Sequence, residues 1–423
     1  MTFVCWYFAL IIEKYKECEP KKAKTAMILS TVTALGLIGI FKYGSFFLEN
    51  LQAITSFPKT IPEVALPIGI SFYTFQLLTY VIDVYRGDAK AQRKYSNLLL
   101  YASLFHQCIA GPIVRYSDIE NDILNRKPTM DDFNKGVMRF SVGLAKKVLL
   151  ANFCGSFSDT LLESSSLNTA SALSLWFGIL FYSLQIYLDF SAYSDMAIGM
   201  GLMTGFHYRE NFDYPYTSSS VSEFWRRWHI SLGSFFKDYV YIPLGGNRKG
   251  NVRTIVNLFV VWALTGLWHG ASWNYVLWGL YFFVFISAEK LFLGKFLKKA
   301  PNIIGHIYLL AIIYFGWVLF KFEDMSVMGT VLKGMFCLNN NPISTHEAAT
   351  YIFSNTVFII IACIACTPII KHLKAMINYY SVRNQGVNIA YSVFRAIIPS
   401  VLVILSAICL VGDSYNPFLY FQF

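Results

Sequence analysis

The chain is 423 residues long, 55% hydrophobic and 17% aromatic, with charged residues at only 14%, against roughly 25% in an average soluble domain, so water is not its main solvent. A net charge of +10 would suit nucleic acid if it formed one basic patch. Instead the basic residues fall in short clusters between apolar segments, at 14–24, 86–94, 226–253, 290–299 and 371–374, the pattern of cytoplasmic loops beside anionic lipid.

In chain order, stretches that approach or reach the roughly 20 apolar residues of a bilayer-crossing helix run over 1–12, 27–47, 66–84, 98–114, 140–154, 172–190, 255–268, 274–288, 304–319, 352–370 and 396–410. The first leads into Glu13, Lys14 and Lys16 rather than small residues, so it reads as the end of a spanning helix and not as a cleavable leader. The stretches around Cys108 and Val148 are short and interrupted by Gly, Pro or a Lys pair, and are predicted as re-entrant or interfacial pieces packed inside protein. The polar string NNNPISTHE within 338–350 is predicted as an exposed loop. No fixed-period repeat or appended soluble domain is visible. The expectation is an all-α polytopic protein of about nine to eleven membrane elements, one domain over 1–423, multi-pass in the inner (cytoplasmic) membrane. Of the eight cysteines, Cys363 and Cys366 form a CxxC, but within FIIIACIACTPII they read as small apolar side chains on a lipid-buried helix.

Seven histidines separate by context. His106, His207, His306, His346 and His372 lie in or near loops, helix ends or isolated apolar settings and read as structural or solvated. His269 sits in WALTGLWHGASWN, at the end of an apolar run, between Gly266 and Gly270 and among tryptophans; a titratable group at such depth is costly unless it is used or paired. His229 lies in SEFWRRWHISLGSFFKDYVYIPLGGNRKG. At helical spacing Ser222, Arg226, His229, Gly233 and Lys237 form a polar stripe opposite Trp225, Trp228, Leu232, Phe235 and Tyr239. That helix either lines a cavity or is an amphipathic surface helix whose arginines touch lipid phosphates. In YSLQIYLDFSAYSDMAIGMGL, Gln185, Asp189, Ser191, Ser194 and Asp195 interrupt an apolar helix pair; the two aspartates either hold helices together or contact substrate.

Acyl transfer to a hydroxyl needs a base, oxyanion donors and a dry site. A neutral imidazole at His269 among tryptophans meets the first and third needs. Ser272 is a competing nucleophile, but no Gly-x-Ser-x-Gly elbow supports it. No HExxH or paired Cys/His spacing supports a metal at His229 and His269. The turn IPLGGNRKG is not a Walker loop and reads as a plain turn.

The strings QIYLDFSAYSDMAIGMGLMTGF, ENFDYPYTSSSVSEFWRRWHISLGSFFKDYVYIPLGGNRKG and LTGLWHGASWNYVLWG resemble the core of the membrane-bound O-acyltransferase family, in the bacterial branch that includes the alginate O-acetyltransferase membrane subunit. LPIGISFYTFQLLTYVIDVYRGD, FHQCIAGPIVRYSDI and the closing NPFLYFQF resemble the same branch. The resemblance implies a ring of tilted helices around a tunnel, with His269 as base and His229 as its positioning partner. It implies no bound cofactor but an acyl thioester substrate, acetyl-CoA or an acyl-carrier protein. Acetyl is the expected acyl group and D-alanyl the alternative; the acceptor is a polysaccharide hydroxyl or a periplasmic or extracellular transferase partner. Arg226 and Lys237 are candidates for steering the donor's phosphate-bearing arm, and Trp268 and Asp195 for contacting substrate. Relatives of this branch begin with further hydrophobic sequence, so one or two N-terminal helices are expected to be missing before Met1. A transporter of acylated glycan, or a scaffold for a separate transferase, are the competing readings outside enzymology.

Overall fold

In lipid each backbone N–H and C=O must find its partner inside protein, and every regular element among the described residues is accordingly helical. The computed structural model describes residues 1–55, 57, 61, 65–108, 111–163, 166–412 and 418–419. Most of the closing NPFLYFQF lies outside the described residues; Phe418 and Leu419 are within them. The helices in order are α1 (Thr2–Tyr15), α2 (Pro20–Thr55), α3 (Ile70–Arg86), α4 (Tyr95–Ser103), α5 (Tyr116–Asn125), α6 (Met130–Ala145), α7 (Asn152–Leu161) and α8 (Ala172–Met203). There follow α9 (Val221–Arg227), α10 (Ile230–Phe236), α11 (Gly250–His269), α12 (Trp273–Ala288), α13 (Gly294–Leu297), α14 (Asn302–Lys321), α15 (Met325–Met335), α16 (His346–Ser354), α17 (Thr356–Ala365), α18 (Ile369–Ser381) and α19 (Gln385–Leu410). Among the described residues six spans are long and apolar enough to cross a bilayer, namely α2, α8, α11, α12 with α13, α14 and α19, and the pair α16 and α17 makes a seventh if taken together. The chain is a multi-pass membrane protein.

Helix α8 is the axis of the assembly. Of its most apolar 18-residue window 61% is buried in protein, against 6% for α19, so α8 packs on protein nearly all round while α19 faces outward. The expected helix pair over 182–202 is instead this one unbroken helix, whose two aspartates are matched by lysines of a neighbouring segment. The stretch around Val148, predicted as re-entrant, is also part of a longer path: α6 and α7 are joined without interruption by a π-helical turn, Lys146–Ala151. Its lysine pair is no interruption. Lys146 Nζ reaches Asp195 at 2.6 Å and Lys147 Nζ reaches Asp189 at 2.6 Å. Arg139 of α6 completes the upper cluster at 2.9 Å from Asp195 and also binds Glu210. Burying these charges is tolerable only because each has a partner.

Two other expectations are corrected. The stretch 352–370 is not one straight helix: α16 and α17 meet at a 56° bend, as in a broken span or a re-entrant loop. The predicted loop 338–350 is only half loop: α16 begins at His346 with Thr345 as its N-cap, and the Pro342 and Ile343 carbonyls accept hydrogen bonds from Ala172 and Leu173 at the start of α8.

The basic clusters at 86–94, 226–253 and 290–299 are joined by direct contacts into one basic face. Arg93 pairs with Glu13, Arg86 Nη2 donates to the Asp238 carbonyl at 3.0 Å, and Lys290 Nζ donates to Tyr241 at 2.9 Å.

The Asp189–Lys147 pair, with side chains 3% and 8% exposed, yields a stability prediction. Asp189→Leu alone strands a buried ammonium and is expected to cost about 3–5 kcal/mol, read as an earlier thermal unfolding transition in detergent. Lys147→Met combined with Asp189→Leu should recover most of that loss; no recovery would show that the pair does not act as a unit.

Candidate active site

His269 is the last residue of α11 and is 7% exposed. Its imidazole is caged edge-on by three rings, with centroids at 4.9 Å (Trp268), 4.8 Å (Trp278) and 5.2 Å (Phe320). Its Nδ1 is buried and has no hydrogen-bond partner among the described residues. Leaving such a group unpaired costs on the order of 1–3 kcal/mol, which marks it for use.

The backbone beneath His269 is fixed twice. Helices α11 and α12 touch through glycines: a Cβ on Gly266 would lie 2.4 Å from the Tyr275 carbonyl oxygen, and one on Gly279 2.4 Å from that of Trp262. No other residue permits this approach. The carbonyls that α11 leaves without intrahelical partners are met from α2. Lys42 Nζ donates to the Trp268 and His269 carbonyls, and the Tyr43 hydroxyl donates to Leu267 O at 2.7 Å. A cation at a helix C-terminus also complements the helix dipole.

His229 is placed by a break rather than by a stripe. The single helix expected through 222–237 ends at Arg227, and α10 starts at Ile230, with His229 between them in the left-handed region at φ 45°. That turn swings His229 inward to 2% exposure, while Arg226 and Lys237, its supposed stripe neighbours, remain exposed. Strain of this kind in a non-glycine residue costs about 1–3 kcal/mol and collects at functional sites. Asn211 holds the ring. Its Oδ1 accepts from the Ser231 backbone N–H at 3.1 Å, which fixes that atom as the amide oxygen, and lies 3.2 Å from His229 Nδ1. Nδ1 is therefore the protonated nitrogen, and Nε2, which has no partner among the described residues, is the bare one. Burial pushes the His229 imidazole down to about 3, so it is neutral at physiological pH.

Trp268 lies between the two histidines, 5.6 Å from the His229 ring and 4.9 Å from that of His269. A cavity of about 20 Å³ opens beside His269, walled by Trp228, Trp278, Trp317, Asp189 and Leu419 among others. The Leu419 backbone N–H donates to Asp189 Oδ2 at 2.7 Å. Asp195 does not line this cavity; its carboxylate belongs to the ion cluster with Arg139 and Lys146.

A second, larger cleft of about 590 Å³ opens on the basic face, lined by Asp83, Arg86, Asp88, Arg115, Asp238 and Tyr239. Both guanidiniums lie over the Tyr239 ring, at 4.9 and 5.2 Å. From Tyr239 a column of near-parallel rings runs inward: Phe235 at 5.2 Å, Phe75 a further 4.2 Å on, and Trp268 a further 5.9 Å on.

The profile of the membrane-bound O-acyltransferase family matches residues 86–322, the span that holds His229 and His269. The chain belongs to this family. Over 419 residues it is 37% identical to a Pseudomonas putida protein described as "Probable alginate O-acetylase AlgI", covering 95% of this chain and 85% of that protein. It is 34% identical over 364 residues to the Helicobacter pylori peptidoglycan O-acetyltransferase, covering 79% and 68%, and 26% identical over 272 residues to the Bacillus subtilis teichoic acid D-alanyltransferase, covering 61% and 68%.

Within this O-acyltransferase the remaining residues singled out in the sequence scatter. His106 binds the Tyr208 hydroxyl at 2.8 Å, His207 faces Asp122 and Asp132, His306 Nδ1 donates to Ser218 O at 2.8 Å, and His346 and His372 are exposed. Ser272 is the N-cap of α12 and makes no hydrogen bond to His269 among the described residues. No three His, Cys, Asp or Glu side chains among the described residues converge as a metal set. Lys42 and Asn211 were missed. A lone lysine inside the apolar stretch 27–47 was the available signal for the first; nothing in the sequence marks Asn211 as the partner of His229.

Lys42→Met removes the donors to the α11 carbonyls while keeping the stem. It is expected to lower stability by about 1–3 kcal/mol and turnover by at least tenfold with KM little changed. Equal turnover in the folded variant would show that α11 is held without Lys42.

Proposed function

We propose that this O-acyltransferase moves a short acyl group, acetyl first of all, from a cytoplasmic thioester to a hydroxyl of a cell-surface polysaccharide or of a transferase partner outside the inner membrane. The observation that carries this reading is the buried, caged His269 with an unpartnered nitrogen on a cavity. A neutral imidazole so placed takes the hydroxyl proton as the hydroxyl attacks the thioester carbonyl, and the surrounding rings keep competing water out. His229, held by Asn211 on the far side of Trp268, positions what lies between. The names of the similar alginate and peptidoglycan O-acetyltransferases favour a polysaccharide acceptor and acetyl.

The cavity argues against a long acyl chain. About 20 Å³ is room for a water-sized group, not for a fatty chain. A D-alanyl group would bring an ammonium to a wall whose Asp189 already carries the Lys147 ammonium, an arrangement of like charges.

By the positive-inside rule the basic face is cytoplasmic, and the thioester enters there. The Tyr239 cleft is the opening, and the column of rings from Tyr239 to Trp268 is the wall along which a thin arm reaches His269.

His269→Ala, in protein that inserts and expresses normally, is expected to lower acyl-ester formation by at least about 10²-fold, measured as ester released from the surface polymer by mild base; undiminished acetylation would remove His269 from the chemistry. For the route, Tyr239→Cys in a background without other reactive cysteines is expected to be alkylated by a bulky maleimide from the cytoplasmic side. Acetyl-CoA should slow that alkylation. Labelling at the same rate with and without acetyl-CoA or an acylated carrier would place the opening elsewhere.

A further inference from the structure

The indole N–H of Trp278 is a donor that the fold leaves without use. Trp278 is fully buried, and its Nε1 has no hydrogen-bond partner among the described residues. An indole N–H can only donate, and buried donors are almost always paired. Of its neighbours, Trp317 on the same cavity wall donates from Nε1 to the Tyr216 hydroxyl at 3.0 Å, while the Nε1 of Trp225 is also without a partner among the described residues but lies off the cavity. Trp278 has polar company of a different kind. It lines the cavity together with His269, its ring 4.8 Å from the imidazole at an interplanar angle of 77°.

Its position is rigid. Gly279, the next residue, is pressed against α11 by the same glycine contact that fixes the turn before His269, and the ring is wedged against Trp225 at 5.3 Å and Phe320 at 5.4 Å. A base and a donor are thus mounted on two helices that touch backbone to backbone. Such a pair meets the two needs of a tetrahedral acyl-transfer step, which are a proton acceptor for the attacking hydroxyl and a preorganised donor for the oxygen that becomes negative.

We propose that Trp278 is a catalytic residue of the acyl transfer, its indole N–H donating to the carbonyl oxygen of the thioester and holding the oxyanion. This rests on the reading of His269 as base. The acceptor oxygen forms a bond to the carbonyl carbon as its proton passes to His269, and the C=O electron pair moves onto the oxygen that faces Trp278. When that pair returns, the C–S bond breaks, and the departing thiolate takes the proton from His269. Ester and free thiol are the products, and both side chains end as they began. The N–H is stronger in this role than a water-exposed donor, because the cavity is walled mostly by aromatic and apolar side chains and little must reorganise as charge appears.

The test replaces the N–H and nothing else. Benzothienylalanine, which puts sulfur in place of the indole nitrogen, is incorporated at position 278 of the full-length protein in detergent or liposomes, beside Trp278→Phe and His269→Ala. For the isostere, kcat should fall about 10²-fold with KM for the thioester within about twofold and the thermal transition unchanged, the signature of a contact made only in the transition state. Trp278→Phe should lose at least as much. Wild-type kcat in the isostere overturns the proposal, and so does a loss confined to KM. If His269→Ala is itself fully active, the reading beneath the proposal falls. If His269→Ala is inactive and the isostere is not, only the role of Trp278 falls.

Discussion

The constraint on which this molecule depends is that a polar group at membrane depth must find its partner inside the protein. Asp189 and Asp195 on α8 would be prohibitive alone; the π-helical turn presents consecutive lysines to them, and two charges on each side become the clamp that binds α6 and α7 to the axis. The last carbonyls of α11 pose the same problem at a helix end, and Lys42 and Tyr43 answer it from a helix more than 200 residues away in sequence. In both places pairing fixes geometry as well as energy, since a hydrogen bond in a low-dielectric interior tolerates little displacement.

Against that background the exceptions around Trp268 and His269 acquire meaning. His269 Nδ1, His229 Nε2 and Trp278 Nε1 are buried polar atoms without partners among the described residues, and all three belong to rings in contact around Trp268 or His269. Their supports are rigid, through a glycine-to-glycine helix contact, a strained turn at His229 and an amide clamp from Asn211. A site built so pre-aligns its reacting groups and excludes solvent, and leaves the unmet hydrogen bonds for the reacting atoms to satisfy.

The two spaces differ in size and in the chemistry of their walls. The cleft by Tyr239 is wide, charged and open on the basic face, while the space at His269 is small and mostly aromatic. The rings between them, Phe235, Phe75 and Trp268, carry no titratable group. Leu419 closes the cavity on the side of Asp189, so the chain's last described residue is part of the site's enclosure.

What the sequence determined by itself was composition-driven. Apolar length and the spacing of basic clusters are local properties, so most of the spans and their helical character were legible, as was the unusual cost of a histidine at the end of α11; the motifs around His229 and His269 carried the family. Only the tertiary structure decided which polar groups meet. Lys146 and Lys147 looked like an interruption and proved to be the partners of the aspartates, because a π-helical turn changes which face consecutive residues share. The stripe through Arg226, His229 and Lys237 was sound arithmetic for an unbroken helix, and the left-handed backbone at His229 voided it by turning one residue inward and leaving the others outside. Pairings such as Lys42 with α11, or Asn211 with His229, join segments that periodicity treats separately; they exist only once the helices are packed.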